Sequence, residues 1–294
     1  MRVVLVGCGS MGQKHLNVLD SIDNLEVVGV IDPTFEREGI NFSSIEQFLE
    51  TEVPVDFAIV ATPTSYHHKS AISLIHNGIH VLIEKPIAPT LQEAEEIRYA
   101  ATKHNVKVAV GHIERFNPAI VALRNDLKEQ NVLTCNIKRI SPYPARIQDI
   151  GVKLDLGIHD VDLVRYITGK EVKNYHCTSS KVTHPDREDT ALFYFHLGNT
   201  SATILNSWMS PFRERKIDVM TEEHYYKIDL MTQSVAKYSI MESNSYGITD
   251  LYIQRTNALQ DQTIAFINFI ETNDAGDLAQ LEDAMIALGY VLGD

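Results

Sequence analysis

Near its start the chain runs VVLVGCGSMG: three glycines, Gly7, Gly9 and Gly12, follow an unbroken apolar run and open a stretch with helical spacing. A strand buried on both faces reads as a continuous, β-branched apolar run, and residues 2–8 are such a run. From Met11 to Asp20 the apolar Met11, Leu16 and Leu19 keep helical spacing, and LEVVGVID at 25–32 is a second buried strand. Strand, glycine turn, helix, strand leaves few folds open, because parallel neighbours must be joined by right-handed crossovers. The alternation continues with strands at 55–62, 80–86 and 106–112 and helices at 67–78 and 91–105.

Past Pro118 the pattern changes. A helix at about 118–130 precedes the segments LTCNIKRIS, KNYHCTSSKV, TALFYFHL, SATILNSWM and RKIDVMT, rich in β-branched and aromatic residues and separated by short polar turns. They predict antiparallel strands of one sheet. A helix at about 153–168, stopped by Gly169, interrupts them, and helices return at 258–272 and 277–292. At 294 residues two domains are expected. The class is α/β: an N-terminal Rossmann dinucleotide-binding domain over 1–115, then a C-terminal α+β domain over 116–294 with a large, open, mostly antiparallel sheet. The boundary falls within HIERFNP, and the last helix is expected to pack back on the first domain.

The glycine spacing carries chemistry as well as topology. In G-x-G-x-x-G the first glycine makes the tight turn, the second lets a pyrophosphate reach the backbone, and the third lets helix and strand pack closely. The helix N-terminus then faces the anion, here through Gly9, Ser10 and Met11. Asp32 ends the second strand 20 residues after Gly12, where a ribose-binding carboxylate belongs. It would repel the 2′-phosphate of NADP, and Pro33, Thr34 and Phe35 supply no cation, Arg37 being the nearest; NAD is the expected cofactor. The alternative is that Asp32 caps a turn before Pro33.

Lys and Arg number 26 against 39 Asp and Glu, a formal charge of −13, which disfavours a nucleic-acid partner. No apolar run approaches the roughly 20 residues of a membrane-spanning helix. Cys8, Cys135 and Cys177 lack metal-site spacing, so no metal is proposed and a reducing, cytoplasmic setting is expected.

Three further motifs are VATPTSYHH at 60–68, EKP at 84–86 and DLGIH at 155–159. Lys85 closes a strand at the sheet edge where ligands bind in open α/β folds. Asp155 and His159, four apart on a predicted helix, share a face. A carboxylate one turn from an imidazole can orient it as a proton acceptor, as oxidation of a secondary alcohol requires; a plain helix-surface ion pair is the alternative. Together with the glycine motif, these residues resemble the Gfo/Idh/MocA family of sugar and cyclitol dehydrogenases, over essentially the whole chain. The resemblance implies a substrate held between the open sheet and the nicotinamide, with Thr62, Pro63, His67, Glu84, Lys85 and Pro86 on the cofactor side. It implies His159 as general base, Asp155 as its partner and Lys85 as the cation beside the alkoxide, and leaves open which of Lys85 and His159 takes the proton.

GHIERFNPA at 111–119, read with DIGVKLDLGIHDVD and NSWMSPFRERK, resembles the branch of that family that oxidises C3 of UDP-N-acetylglucosamine or its uronic acid. The diphosphate would need cations, and Arg115, Arg146, Lys153, Arg213, Arg215 and Lys216 cluster around these motifs. Asn117 either bonds a sugar hydroxyl or caps the helix beginning at Pro118. A free-sugar or myo-inositol dehydrogenase and a non-catalytic dinucleotide sensor are the other readings. An open sheet with one uncovered apolar face predicts a homodimer or homotetramer.

Overall fold

The computed structural model describes residues 1–35, 39–144, 147, 150–241 and 245–293. The chain divides into two compact units, the first built from Met1–Ile113 and Leu259–Leu288, the second from Glu114–Ala258 and the residues after Leu288. The first unit is thus discontinuous: the sequence assigns 116–294 to a second domain and expects only its last helix to return, whereas the returning stretch begins at Leu259.

The first unit is a seven-stranded sheet. Strands β1 (Arg2–Val6), β2 (Glu26–Ile31), β3 (Asn41–Phe42), β4 (Phe57–Val60), β5 (His80–Glu84) and β6 (Val108–Gly111) lie parallel in the order β3-β2-β1-β4-β5-β6. That order is a dinucleotide fold with its switch point between β1 and β4. Val3, Val4, Leu5, Phe57, Ala58, Ile59 and Val60 are all fully buried, as a parallel strand covered on both faces must be. The crossovers include α1 (Ser10–Leu19), α2 (Ile45–Leu49), α3 (His67–His76) and α4 (Leu91–His104). Helix α4 begins in a capping box: Thr90 Oγ1 accepts from the Glu93 N–H at 3.2 Å and donates to the Glu93 carboxylate at 2.9 Å.

In the second unit, after α5 (Pro118–Asp126), an eight-stranded sheet comprises β7 (Val132–Ile140), β8 (Asn174–Ser180), β9 (Thr190–Leu197), β10 (Thr200–Ser207), β11 (Glu214–Thr221), β12 (His224–Asp229), β13 (Ser234–Ile240) and β14 (Tyr246–Asp250). The order is β14-β13-β12-β11-β7-β10-β9-β8, antiparallel except for β7 with β10. Helix α5 packs on β13, and α6 (Ile158–Thr168) on β7 and β10. Phe193, Phe195, Ile204, Ile217 and Val219 fill that face, while Leu192, Tyr194, Met220 and Ile248 stand exposed on the other. Strands β12 to β14 extend the sheet beyond the segments that the sequence singles out.

The chain then returns through α7 (Ala258–Thr272), β15 (Ala279–Gln280) and α8 (Leu281–Leu292). Strand β15 adds an antiparallel edge to β6 where the sequence suggests only helix; Leu278 and Ala279, both buried, read equally well as the apolar start of α8. Lys107 fixes α7 to the first unit, donating to the Phe269 and Ile270 carbonyls at 2.6 and 3.2 Å. Cations at a helix C-terminus are favoured.

Candidate active site

Each glycine of the first motif has its own reason. Gly7 sits at φ +88°, and a Cβ there would lie 2.7 Å from the Thr62 nitrogen. A Cβ at Gly12 would strike the Gly7 carbonyl. The chain itself therefore demands those two. A Cβ at Gly9 would meet nothing within 4 Å, so the chain itself does not demand glycine there and the space over the loop is open. Gly9 is also the N-cap of α1 and offers no side chain to its first N–H groups, which suits a bound pyrophosphate. Ser10 is exposed and Met11 half-buried beside it.

Asp32 makes both contacts that the sequence suggests. One oxygen accepts the Cys8 N–H at 2.8 Å and so holds the glycine loop; the other accepts from Thr34 N–H, Thr34 Oγ1 and Phe35 N–H, capping the turn. Partial burial would raise its pKa, but those four donors outweigh it and hold the carboxyl below the usual carboxylate range. An ionised Asp32 suits an unphosphorylated ribose. Arg37, the nearest cation in sequence, lies outside the described residues, as does Arg146.

Lys85 follows β5 directly, half-buried, and its bond to Pro86 is cis. Its neighbours Glu84 and His67, expected on the cofactor side, have their side chains turned inward. Glu84, 7% exposed, takes a 2.8 Å hydrogen bond from His15 Nε2 and accepts the Lys85 N–H at 3.2 Å. His67, 1% exposed, has its Nδ1 2.7 Å from the Pro86 carbonyl and its Nε2 2.9 Å from the Thr62 carbonyl; burial lowers its pKa and favours the neutral ring, whose single N–H donates to one of the two. Thr62 keeps a buried hydroxyl with no partner among the described residues, and Pro63 is exposed beside it.

In the second unit, Asp155 lies in a π-helical turn, Lys153–Gly157, that runs straight into α6, where His159 is the second residue. Both are half-buried. Wide turns of this kind recur at functional sites. The turn is closed by a residue that the motif reading missed, Glu188. Its backbone carbonyl accepts the Val152 N–H at 2.9 Å and its carboxylate accepts the Lys153 N–H at 3.1 Å. A Cβ at Gly151 would overlap that carboxylate as it is placed, so a larger residue there would require Glu188 to move.

Beneath α6 lies a buried ionic network. Cross-strand register sets Asn206, Arg139 and Arg215 in one row over β10, β7 and β11. Arg139 donates through Nε to both oxygens of Asp160, at 2.8 and 3.0 Å, and through a terminal nitrogen to Glu114 at 2.8 Å. Asn206 donates to Asp160 at 2.6 Å, and Arg215 reaches Glu114 at 3.2 Å. Burial would raise Glu114, but Arg139 and Arg215 hold its carboxyl below the usual range. Burial pushes Asp160 up despite Arg139. Nothing in one-dimensional spacing marks these residues, because their partners are distant in sequence.

Two residues expected on the substrate side lie close to this network and are buried. Arg115, 5% exposed, grips Asp162 with two guanidinium nitrogens and lies over the Tyr166 ring. Asn117 caps α5 through its carbonyl oxygen and donates to Glu114 and to the Leu230 carbonyl. Both are committed inside the protein. Arg213 and Lys216 are exposed, Lys153 is half-buried, and Arg215 keeps 46% of its side chain exposed. Among the described residues no cluster of three or more metal-ligating side chains occurs, and no helix is long and apolar enough to cross a membrane.

A parallel sheet in this order, a glycine loop with an open cradle and a carboxylate at the end of the second strand define a dinucleotide-binding domain. Residues 1–112 match the NAD-binding Rossmann fold of the Gfo/Idh/MocA oxidoreductases, and residues 134–227 match the C-terminal domain of the same group. The chain belongs to the Gfo/Idh/MocA family. It is 30% identical over 249 residues to the UDP-N-acetylglucosamine 3-dehydrogenase of Acidithiobacillus ferrooxidans, covering 81% of this chain and 77% of that one. A solved structure of that enzyme superposes with a TM-score of 0.90 at 25% identity, covering 100% of this chain and 96% of the other. The rhizopine catabolism protein MocA of Rhizobium meliloti is 29% identical over 197 residues, 62% of each chain. An inositol 2-dehydrogenase of Saccharopolyspora erythraea is 26% identical over 216 residues, 68% of this chain and 64% of that one.

Proposed function

We propose that this protein is an NAD-dependent dehydrogenase that oxidises C3 of a nucleotide sugar such as UDP-N-acetylglucosamine to a ketone. The observation that carries this reading is the likeness to the Acidithiobacillus enzyme, which spans both units. Bound NAD supplies the acceptor for the hydride that leaves the carbon. His159 takes the hydroxyl proton, Asp155 one turn earlier orients the imidazole, and Lys85 supplies positive charge to the oxygen. Gly7, Gly9, Ser10, Met11 and Gly12 cradle the pyrophosphate, Thr62, Pro63 and Pro86 border the nicotinamide end, and ionised Asp32 selects NAD over NADP. Arg213, Arg215 and Lys153 are the cations assigned to the diphosphate. The exposed apolar file Leu192, Tyr194, Met220 and Ile248 is the face assigned to self-association.

A free-sugar or inositol substrate is the second reading, favoured by the commitment of Arg115 to Asp162, which removes one cation from the substrate set. The test offers UDP-N-acetylglucosamine, its uronic acid, myo-inositol and glucose in parallel with NAD, following nicotinamide absorbance and product mass. Loss of two mass units from a UDP-sugar supports the first reading. NADH formed only with a free polyol replaces it with the second.

A further inference from the structure

A buried hydrogen-bond chain crosses the carboxyl edge of the first sheet. It starts on α1, where His15 Nε2 meets Glu84 Oε1 at 2.8 Å. The second Glu84 oxygen accepts the Lys85 N–H at 3.2 Å. One peptide further on, the Pro86 carbonyl meets His67 Nδ1 on α3 at 2.7 Å, and the other nitrogen of that ring meets the Thr62 carbonyl after β4 at 2.9 Å. On β6, opposite Glu84, a Cβ at Gly111 would lie 3.1 Å from the Glu84 carboxyl carbon, so glycine there makes room for the acid.

A buried carboxylate is expensive unless it is paired. Burial would raise Glu84, yet the hydrogen bond and charge of His15, with the charge of Lys85, keep it below the usual range and ionised. An apolar side chain could fill this space at less cost. What the chain of groups adds is geometry: it ties the helix that carries the glycine loop to the backbone on either side of Lys85.

We propose that Glu84, His15 and His67 are positioning residues that fix Lys85 relative to the dinucleotide helix. This rests on the role given to Lys85 above. Displacing a reacting group by about 1 Å costs up to a hundredfold in rate, whereas contacts to NAD itself would be little changed.

The test compares wild-type protein with Glu84→Gln, which keeps the shape and loses the charge, and with His15→Gln and His67→Asn. Lys107→Met, which removes the α7 cap and the contact of the ammonium with the Phe269 ring, controls for lost stability. Three quantities are read: the rate at which acetic anhydride acylates Lys85, by mass spectrometry, with and without NAD; the Kd for NAD; and kcat. The expected result is a change of about threefold or more in Lys85 acylation and a fall of about tenfold in kcat. Kd for NAD should stay within about twofold, and Lys107→Met should change neither acylation nor kcat. Should Glu84→Gln not fold, His15→Gln and His67→Asn carry the same expectation. Unchanged Lys85 acylation in the folded variants, or an equal change in Lys107→Met, overturns the proposal. If wild-type protein turns over no substrate, the proposed function fails, while the acylation readout still decides whether the chain positions Lys85.

Discussion

Replacing Arg139 by methionine should cripple the second unit. The guanidinium is 3% exposed and makes three of the hydrogen bonds that hold Asp160 and Glu114, themselves 0% and 8% exposed. Methionine fills most of the volume but leaves two carboxylates without their main partner. Removing one partner of a buried ion pair typically costs about 3–5 kcal/mol. Two features limit the loss: Asp160, already pushed up by burial, can take a proton, and Arg215 still reaches Glu114. About 3 kcal/mol is therefore the expected cost. The single tryptophan, Trp208, lies buried in the same unit, so urea unfolding followed by its fluorescence reads this unit selectively. Adding Asp160→Asn should recover part of the loss, because it removes the carboxylate left unpaired. A cost below about 1 kcal/mol for Arg139→Met, a value typical of exposed pairs, would refute the reasoning.

The two kinds of glycine should separate cleanly. Gly9→Ala should cost less than about 1 kcal/mol of stability yet weaken NAD about tenfold or more, whereas Gly12→Ala should cost about 3 kcal/mol; thermal melts and calorimetric titration check both. Asp32→Ser removes the carboxylate and the tie to Cys8, so the preference for NAD over NADP should shrink about tenfold or more, measured as the ratio of Kd values. Acid should act through Asp32, Glu84 and Glu114, whose carboxyls are all held below the usual carboxylate range. In each case the unfolded chain binds the proton more readily, so the stability these groups contribute is complete above their unfolded pKa and is lost as pH falls through the folded one. Circular dichroism at fixed urea, which follows both units, should report falling stability below about pH 4.5, and in the Trp208 signal, which follows the second unit, the Glu114→Gln variant should show a shallower fall.

What the sequence reveals here is local order, and what it hides is partnership. The first strand, glycine turn and helix are legible because burial on both faces and glycine sterics leave signatures within a few residues. Helix α6 is likewise foreshadowed by DLGIH, though its wide first turn is not, and Asn117 ahead of Pro118 announces the start of α5. Arg115 illustrates the opposite case. Its charge beside a substrate-like motif suggests a phosphate ligand, but its partner Asp162 stands 47 residues away and only the fold brings them together. The partners of Glu84 and His67 are hidden for the same reason: their motif suggests the cofactor side, while their side chains turn to His15 and to two backbone carbonyls. The return of α7 to the first unit has no local signal, since helical periodicity shows that one face is buried without showing against what.

The central claim is that the carbon at C3 of a UDP-linked sugar gives its hydride to NAD. The most direct measurement incubates the protein with UDP-N-acetylglucosamine deuterated at C3 and follows the label by NMR and mass spectrometry. The account predicts deuterium on the nicotinamide C4 position and an unlabelled 3-keto sugar. Reduced nicotinamide without deuterium, or label retained on the sugar while another substrate is oxidised, would contradict it.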